Sequence, residues 1–342
     1  MEGYNAPVIS QLTIRRFKSV KDMTIPCRKV NLFVGAPDTG KTNILEALNL
    51  LSRLGWNWPL DTSLRLLGNQ GFDPLFFRQF FDLPIEILTD KFSLRASIHG
   101  QDRSLKVDFP GYPDVEILFG GVHHIPTLDF IRFYAYTTSE HWQYTTSYPY
   151  ATEVVTPPHG HNLMFLAKHN EPVYNHLKQL VSTQNWKLRF DFNTRRFSLS
   201  EVRQDEILDY NLELLSDSLK RLFFYGAILL TSKDATLVLD EPDVYAFPPY
   251  PKTLGEMIAD DQSNQFFLTT HNPYFLSALL NKTPTTDLAV FVCTRDDQGA
   301  TQAHLLTSEQ VELMIEQGAS VFFNLEDYLP QPLPLQKPRP SP

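Results

Sequence analysis

The chain has 342 residues, of which 42% are hydrophobic and 20% are charged, so it can bury the core of one large domain or of two ordinary ones. Thirty Lys and Arg residues against 39 Asp and Glu residues give a formal net charge of −9, unlike the basic proteins that coat DNA. Two distant cysteines exclude a disulfide framework, and neither a membrane-spanning apolar run nor a signal-peptide pattern is present. These features predict a cytoplasmic protein without membrane contact.

The first predicted elements are strands followed by a helix. Partial alternation of apolar and polar residues over 8–17 and 20–26, and the apolar run 30–34, predict three strands. From Lys41 to about residue 54, apolar residues recur at three- and four-residue spacing, which predicts a helix directly after a glycine turn. A strand, a glycine loop and a helix in this order provide the context that a phosphate-binding motif requires.

The middle of the chain is predicted to be rich in strands. Alternating segments recur between about residues 83 and 136, whereas 139–162 shows no period and is expected to be a loop. A helical pattern around 173–181 is followed by a hairpin of two strands, 186–191 and 195–200.

The last third alternates helices and strands, which predicts an α/β fold with a largely parallel sheet. The expected helices are 216–230, 251–259, 273–281 and 307–317, and the expected strands are 235–239, 265–270 and 287–293. The residues from 330 to 342 include six prolines and are predicted to form a disordered tail.

The strongest motif fits G-x-x-x-x-G-K-[ST] and consists of Gly35, Ala36, Pro37, Asp38, Thr39, Gly40, Lys41 and Thr42. In such a loop, successive backbone N–H groups and the positive end of a helix bind phosphate. Lys41 would reach the β- and γ-phosphates, and Thr42 would bind Mg²⁺. With these flanking elements the motif predicts nucleotide binding rather than a glycine turn with a surface lysine.

Two further predicted strands end in polar residues. Asp240 and Glu241 follow the strand 235–239, and His271 follows the strand 265–270. Ligands of open α/β sheets bind at the carboxyl ends of the strands. We therefore expect Asp240 to hold Mg²⁺, Glu241 to orient the attacking water and His271 to bond the γ-phosphate. Considered alone, each would be a solvated strand end or a helix cap.

Ser216 begins a predicted helix in the segment LSDSLKR. Its simplest role is to cap that helix. The alternative is an anion site at the same helix end, presented to a nucleotide bound elsewhere.

These four elements in this order resemble the ATP-binding cassette ATPases of the SMC and RecF type. Within that type, they resemble the AAA-family ATPases related to the overcoming-lysogenization-defect nucleases. The resemblance rests on LTIRRFKSVKD with the phosphate loop, on LSDSLKR, on LVLDEPDVYAFPPYPKTL and on FFLTTHNP. Ser216 precedes Asp240 by 24 residues and His271 follows Glu241 by 30, a spacing close to that of the family. The motifs cover both ends of the chain, and the middle matches only loosely.

The resemblance implies a head that dimerises around two ATP molecules, each held between the phosphate loop of one subunit and Ser216 of the other. It also implies nucleotide-binding roles for Lys18 and for Gln79, the latter as the glutamine of the Q-loop. The expected organisation is one discontinuous head over 1–329, with an N-lobe to about 136, an insertion to about 205 and a C-lobe to 329.

Two departures from the family shape the functional expectation. Asp217 and Ser218 replace the glycine that usually follows the signature serine, and the segment between the first helix and Ser216 is not a coiled-coil arm. No C-terminal nuclease module is expected either. The resemblance and the acidic charge together predict a homodimeric or larger ATPase switch that regulates a partner effector protein, in anti-phage defence.

Two alternatives remain open. A RecF-like DNA-maintenance ATPase would use a local basic groove, with candidate residues Lys187, Arg189, Arg195, Arg196 and Arg203. A sensor that binds ATP without hydrolysing it would account for the unusual signature. Nucleic acid is not favoured as a partner.

Overall fold

The computed structural model describes residues 8–57, 71–101, 103–118, 121, 123–137, 153–182, 186–191, 193, 196–203 and 206–329. The predicted tail 330–342 and most of the predicted loop 139–162 lie outside these ranges. The strands are β1 (Gln11–Phe17), β2 (Val20–Pro26), β3 (Val30–Val34), β4 (Ile85–Thr89), β5 (Ser93–His99), β6 (Ser104–Asp108), β7 (Val115–Ile117), β8 (Ile131–Tyr134), β9 (Lys187–Asp191), β10 (Arg196–Arg203), β11 (Glu206–Asn211), β12 (Thr236–Leu239), β13 (Gln265–Thr269), β14 (Leu288–Arg295) and β15 (Thr301–Leu305). The helices are α1 (Lys41–Trp56), α2 (Leu163–His169), α3 (Glu171–Ser182), α4 (Asp217–Thr231), α5 (Pro249–Asp260), α6 (Pro273–Lys282) and α7 (Ser308–Gln317).

A central six-stranded sheet positions the candidate site. Its strand order is β15-β14-β3-β13-β12-β8, and every pair is parallel except β14 with β15. Every residue of β3, β12 and β13 is buried, as is typical of the largely apolar central strands of a parallel sheet. The parallel α/β architecture expected from the sequence is thereby confirmed.

A second six-stranded sheet, β2-β1-β4-β5-β6-β7, is antiparallel throughout. One hydrophobic cluster joins this sheet to α1 and to one face of the central sheet. Ile14 of β1, Leu48 of α1 and Phe267 of β13 belong to this cluster, and all three are fully buried. This packing fixes the first turn of α1, and with it the phosphate loop, against the carboxyl ends of the central strands.

Helices cover the other face of the central sheet. A second cluster joins Leu32, Leu237 and Leu268 of the central strands to apolar residues of α3 to α7. The antiparallel sheet β11-β10-β9 packs against this cluster through Phe197 and Leu199. Among the helices within the described ranges, none combines the length and hydrophobicity that a membrane span requires.

Most of the elements predicted from the sequence are confirmed, with one change of partner and four additions. The segment containing β8 was expected within the strand-rich middle region, but β8 pairs with β12 in the central sheet. Alternation of residues predicts a strand but not its neighbour, because pairing over this separation depends on the tertiary fold. Helix α2 and strands β7, β11 and β15 were not predicted, since each is short and has a weak periodic pattern.

Helices α3 and α4 approach closely at Gly226. A Cβ atom on Gly226 would lie 2.1 Å from Nε2 of His176, which donates a hydrogen bond to the carbonyl of Leu222 at 3.1 Å. We expect Gly226→Ala to destabilise the protein by about 2 kcal/mol. The new methyl group displaces the imidazole, which loses its hydrogen bond, and this cost is larger than the gain in helix propensity from glycine to alanine. The change is measured as the free energy of unfolding in urea.

The matched control removes the imidazole. In a His176→Ala background, Gly226→Ala should cost little or become stabilising, so the two substitutions should be strongly non-additive. A Gly226→Ala protein as stable as the wild type would contradict this account of the helix contact.

Candidate functional site

The phosphate loop joins the end of β3 to the start of α1. Thr301 of β15 and Ser19 of the turn between β1 and β2 pack against it from outside. Gly40 caps α1 with a φ of 91°, and a Cβ at this position would lie 1.9 Å from Oγ1 of Thr301. Thr301 donates to the carbonyl of Thr39 at 3.0 Å and lies 2.7 Å from the hydroxyl of Ser19. Gly40 is required here both for its left-handed backbone and for the close approach of Thr301.

Lys41 is almost fully buried at the first position of α1, with 5% of its surface exposed. Its Nζ donates to the carbonyls of Gly35 at 2.9 Å and of Ala36 at 2.8 Å. Burial lowers the pKa of Lys41, and the nearby carboxylates of Glu241 and Asp240 oppose this shift. The amine is therefore held inside the curve of the loop, where a phosphate chain would be bound.

Thr42 and Asp240 come together across the sheet edge. Oγ1 of Thr42 donates to Oδ1 of Asp240 at 3.2 Å, and Oγ1 of Thr269 donates to the same oxygen at 2.6 Å. The hydroxyl of Thr269 also accepts the backbone N–H of Glu241 at 2.9 Å, which fixes the turn after β12. A hydroxyl and a carboxylate at this distance fit Mg²⁺, which takes oxygen ligands from one or two side chains together with phosphates and water.

Glu241 and His271 face each other at the ends of β12 and β13. Nε2 of His271 lies 3.5 Å from Oε1 of Glu241. Partial burial lowers the pKa of His271, and the charge of Lys41 lowers it further, while Glu241 acts in the opposite direction. The imidazole is therefore largely neutral near pH 7, with one nitrogen able to donate a hydrogen bond.

Lys41, Thr42, Glu241 and His271 line one cavity of about 350 Å³, and Asp240 adjoins it through Thr42. Its lining residues are Pro37, Asp38, Gly40, Lys41, Thr42, Asn43, Glu241, His271 and Arg295. Three separately predicted motifs thus meet at one place, because β3, β12 and β13 run parallel and end at the same edge.

Ser216 lies outside this cavity and caps α4, accepting a hydrogen bond from the N–H of Leu219 at 3.4 Å. Ser216 and Asp217 are exposed at the helix end. The hydroxyl of Ser218 accepts the N–H of Phe247 at 3.0 Å, so this serine connects α4 to the segment after Glu241.

Lys18 and Gln79, for which the family resemblance implied nucleotide contacts, do not line the cavity. Nζ of Lys18 lies 2.6 Å from Oε2 of Glu46, a buried carboxylate of α1. Gln79 is exposed on a short turn with a φ of 58°. We therefore assign neither residue a nucleotide contact in a single copy of the chain.

Two cavity residues, Asn43 and Arg295, were missed in the sequence. Arg295 is the last residue of β14, the neighbour of β3. The strand-end rule that identified Asp240 and His271 also applies to Arg295. Asn43 carries no comparable signal, because it follows the motif on the helix.

The basic residues considered for DNA binding lie on β9 and β10, and Arg195 is outside the described residues. Lys187 and Arg189 alternate on one face of β9, and Ser198 and Ser200 of β10 pair with them. Arg189 forms an ion pair with Asp209 at 3.1 Å. This pairing compensates part of the positive charge of the face.

Asp243 is a buried carboxyl beside the site, with 3% of its surface exposed. It accepts a hydrogen bond from Thr270, the residue before His271, at 2.8 Å. Burial raises the pKa of Asp243 to about 7, the nearby Glu241 raises it further, and the bond from Thr270 and the charge of Arg221 lower it.

This raised pKa predicts how stability depends on pH. The folded protein keeps the Asp243 proton where the unfolded chain releases it, so stability should fall as pH rises from about 4 to about 7, by up to about 4 kcal/mol. In an Asp243→Asn variant, stability should no longer show this fall between about pH 4 and about pH 7. The measurement is thermal unfolding at several pH values. The exposed Asp297→Asn serves as the matched control, and an Asp243→Asn profile parallel to the wild-type one would refute the prediction.

Two family models of ATPase domains match parts of the chain that contain residues of this site. Residues 8–109 match the family model described as AAA ATPase domain, and residues 149–277 match the model described as AAA domain, putative AbiEii toxin, Type IV TA system. No curated protein matches the chain in sequence.

Solved structures with a similar fold include heads of SMC proteins. The crystal structure of an Smc head bound to the C-winged helix domain of ScpA has a TM-score of 0.52 at 15% identity, covering 89% of this chain and 99% of that chain. An SMC head domain from Thermotoga maritima has a TM-score of 0.44 at 15% identity, covering 87% of this chain and 99% of that chain. An Smc head domain with an extended coiled coil, bound to the C-terminal domain of ScpA derived from Pyrococcus furiosus, has a TM-score of 0.49 at 13% identity, covering 90% and 98%. The first of these establishes that the chain has the fold of an SMC head.

Proposed function

We propose that this chain is an AAA-family ATPase of the ABC/SMC-like type, which hydrolyses ATP and uses the bound nucleotide to control its own dimerisation. One observation carries the proposal: the phosphate loop, the Asp240–Glu241 pair and His271 line or adjoin one cavity at the carboxyl edge of the central sheet. The two lobes and the strands between them would act as one head, since β3, β8 and β12 to β15 share this sheet.

Thr42 and Asp240 would hold Mg²⁺, which neutralises phosphate charge when it is bound. The N–H groups of the loop and the positive end of α1 bind the phosphate chain, and Lys41 contacts its terminal phosphates. Thr269 holds the Asp240 carboxylate in place through the bond at 2.6 Å.

Glu241 would orient a water molecule in line with the terminal phosphate and accept its proton. The new P–O bond then forms on one side while the bond to the ADP oxygen breaks on the other. His271, 3.5 Å from Glu241 and largely neutral, would donate a hydrogen bond to the terminal phosphate and detect its release.

A second copy of the chain would complete the site. Ser216 is exposed at the start of α4 and lies outside the cavity of its own chain, so its hydroxyl and the first N–H groups of α4 can be presented to a nucleotide held by another copy. Two large exposed side chains, Tyr245 at 88% and Phe247 at 63%, lie between Glu241 and α5 and offer apolar area for such a contact.

We place this switch upstream of an effector protein in anti-phage defence in the cytoplasm. The description of the second family model names a putative toxin of a toxin–antitoxin system, and the Smc head of similar fold is bound to a protein partner. The net charge of −9 also favours a protein over a nucleic acid as partner.

The test is to measure phosphate release and molar mass for the purified chain with ATP and Mg²⁺, with ADP, and without nucleotide. We expect slow release of phosphate, and a dimer with ATP only. Dimerisation without any phosphate release would instead favour the non-hydrolysing sensor. A constant molar mass under all three conditions would rule out the nucleotide-controlled dimer.

A further inference from the structure

The hairpin of β14 and β15 is hydrogen-bonded to the outer side of the phosphate loop. Arg295 and Thr301 lie opposite each other in this hairpin. Nε of Arg295 donates to the carbonyl of Asp38, and Oγ1 of Thr301 donates to the carbonyl of Thr39 at 3.0 Å. Two consecutive carbonyls of the loop are thus bonded to the hairpin.

Arg295 differs from Thr301 in that its side chain also lines the cavity, together with Lys41, Glu241 and His271. The residue is exposed, and within the described part of the chain no carboxylate forms an ion pair with it. A guanidinium has five N–H donors, of which the bond to Asp38 uses one. Among the described residues, no hydrogen bond holds the terminal nitrogens, so they can form a fork toward the cavity with an orientation that the Nε bond restricts.

We propose that Arg295 is a second cationic contact for the phosphate chain of the nucleotide, in the same subunit as Lys41. This inference rests on the proposed function, because it requires a nucleotide on the phosphate loop. A planar fork binds phosphate oxygens in pairs, and the fixed Nε lowers the entropy cost of forming those bonds. Arg295 thereby adds charge-dependent affinity for ATP in addition to anchoring the loop.

Anchoring and charge can be separated with three variants. Arg295→Gln removes the charge, Arg295→Lys keeps it without the fork, and Thr301→Val removes the other hairpin-to-loop bond without any change of charge. The experiment measures the affinity of each purified protein for fluorescently labelled ATP with Mg²⁺ over a range of salt concentrations. Arg78→Gln is the matched control, because Arg78 is an exposed arginine that bonds the Gln298 carbonyl of the same hairpin but does not line the cavity.

We expect Arg295→Gln to weaken ATP binding about tenfold at low salt and to reduce the salt dependence of the affinity. In Arg295→Lys, the affinity for ATP should depend on salt as in the wild type. In Thr301→Val, the affinity for ATP can fall, but its dependence on salt should be unchanged. Wild-type affinity in Arg295→Gln would overturn the inference, and so would a loss of affinity with unchanged salt dependence. Failure of the wild-type chain itself to bind ATP would instead refute the proposed function.

Discussion

A Glu241→Gln variant is expected to bind ATP about as well as the wild type and to hydrolyse it at least about a hundredfold more slowly. The amide has nearly the size of the carboxylate but cannot accept the proton of the attacking water. Because ATP then persists in the site, the ATP-bound dimer should accumulate. The measurements are steady-state phosphate release and molar mass by light scattering in the presence of ATP and Mg²⁺.

Glu256→Gln is a matched control for this variant, since Glu256 lies on α5 and pairs with Lys282 at 3.7 Å, away from the cavity. It should retain wild-type turnover and return to the monomer as ATP is consumed. Unchanged phosphate release in Glu241→Gln would remove Glu241 from the catalytic assignment.

Replacement of Lys41 has the second large expected effect. Lys41→Ala should weaken ATP binding by about a hundredfold, because the loop loses the buried cation that we propose as the contact of the terminal phosphates. Hydrolysis and dimerisation should be lost with it. The measurement is an equilibrium titration with ATP and Mg²⁺ by calorimetry.

Since Lys41 also bonds the carbonyls of Gly35 and Ala36, thermal unfolding must accompany this titration. A folded Lys41→Ala protein that still binds ATP with wild-type affinity would contradict the phosphate-loop assignment. The exposed Lys252→Ala provides the control for loss of a positive charge, and it should bind ATP normally.

Much of the candidate site could be predicted from the sequence because local patterns determine it. The run of apolar residues before Gly35 and the helical period after Lys41 define a strand and a helix around the motif. Asp240 and His271 follow buried strands, and parallel strands of one sheet end at the same edge. For these residues, sequence position alone implies proximity in space.

The features of the site and fold that could not be predicted depend on contacts between segments that are distant in the sequence. Lys18 follows β1, but its amine is bonded to Glu46, a partner that no local pattern indicates. The place of β8 beside β12, like the contact of Arg295 with Asp38, depends on how the antiparallel sheet, α1 and the β14–β15 hairpin pack together. Packing of this kind is a property of the tertiary fold and leaves little periodic trace in the sequence.

Nucleotide-controlled dimerisation can be tested in a time course in which the wild-type chain receives a limited amount of ATP with Mg²⁺. Molar mass and released phosphate are followed in the same sample. We predict that the mass rises to that of a dimer on addition of ATP and returns to that of the monomer as phosphate release ends. A mass that stays constant while phosphate is released would contradict a nucleotide-controlled dimer.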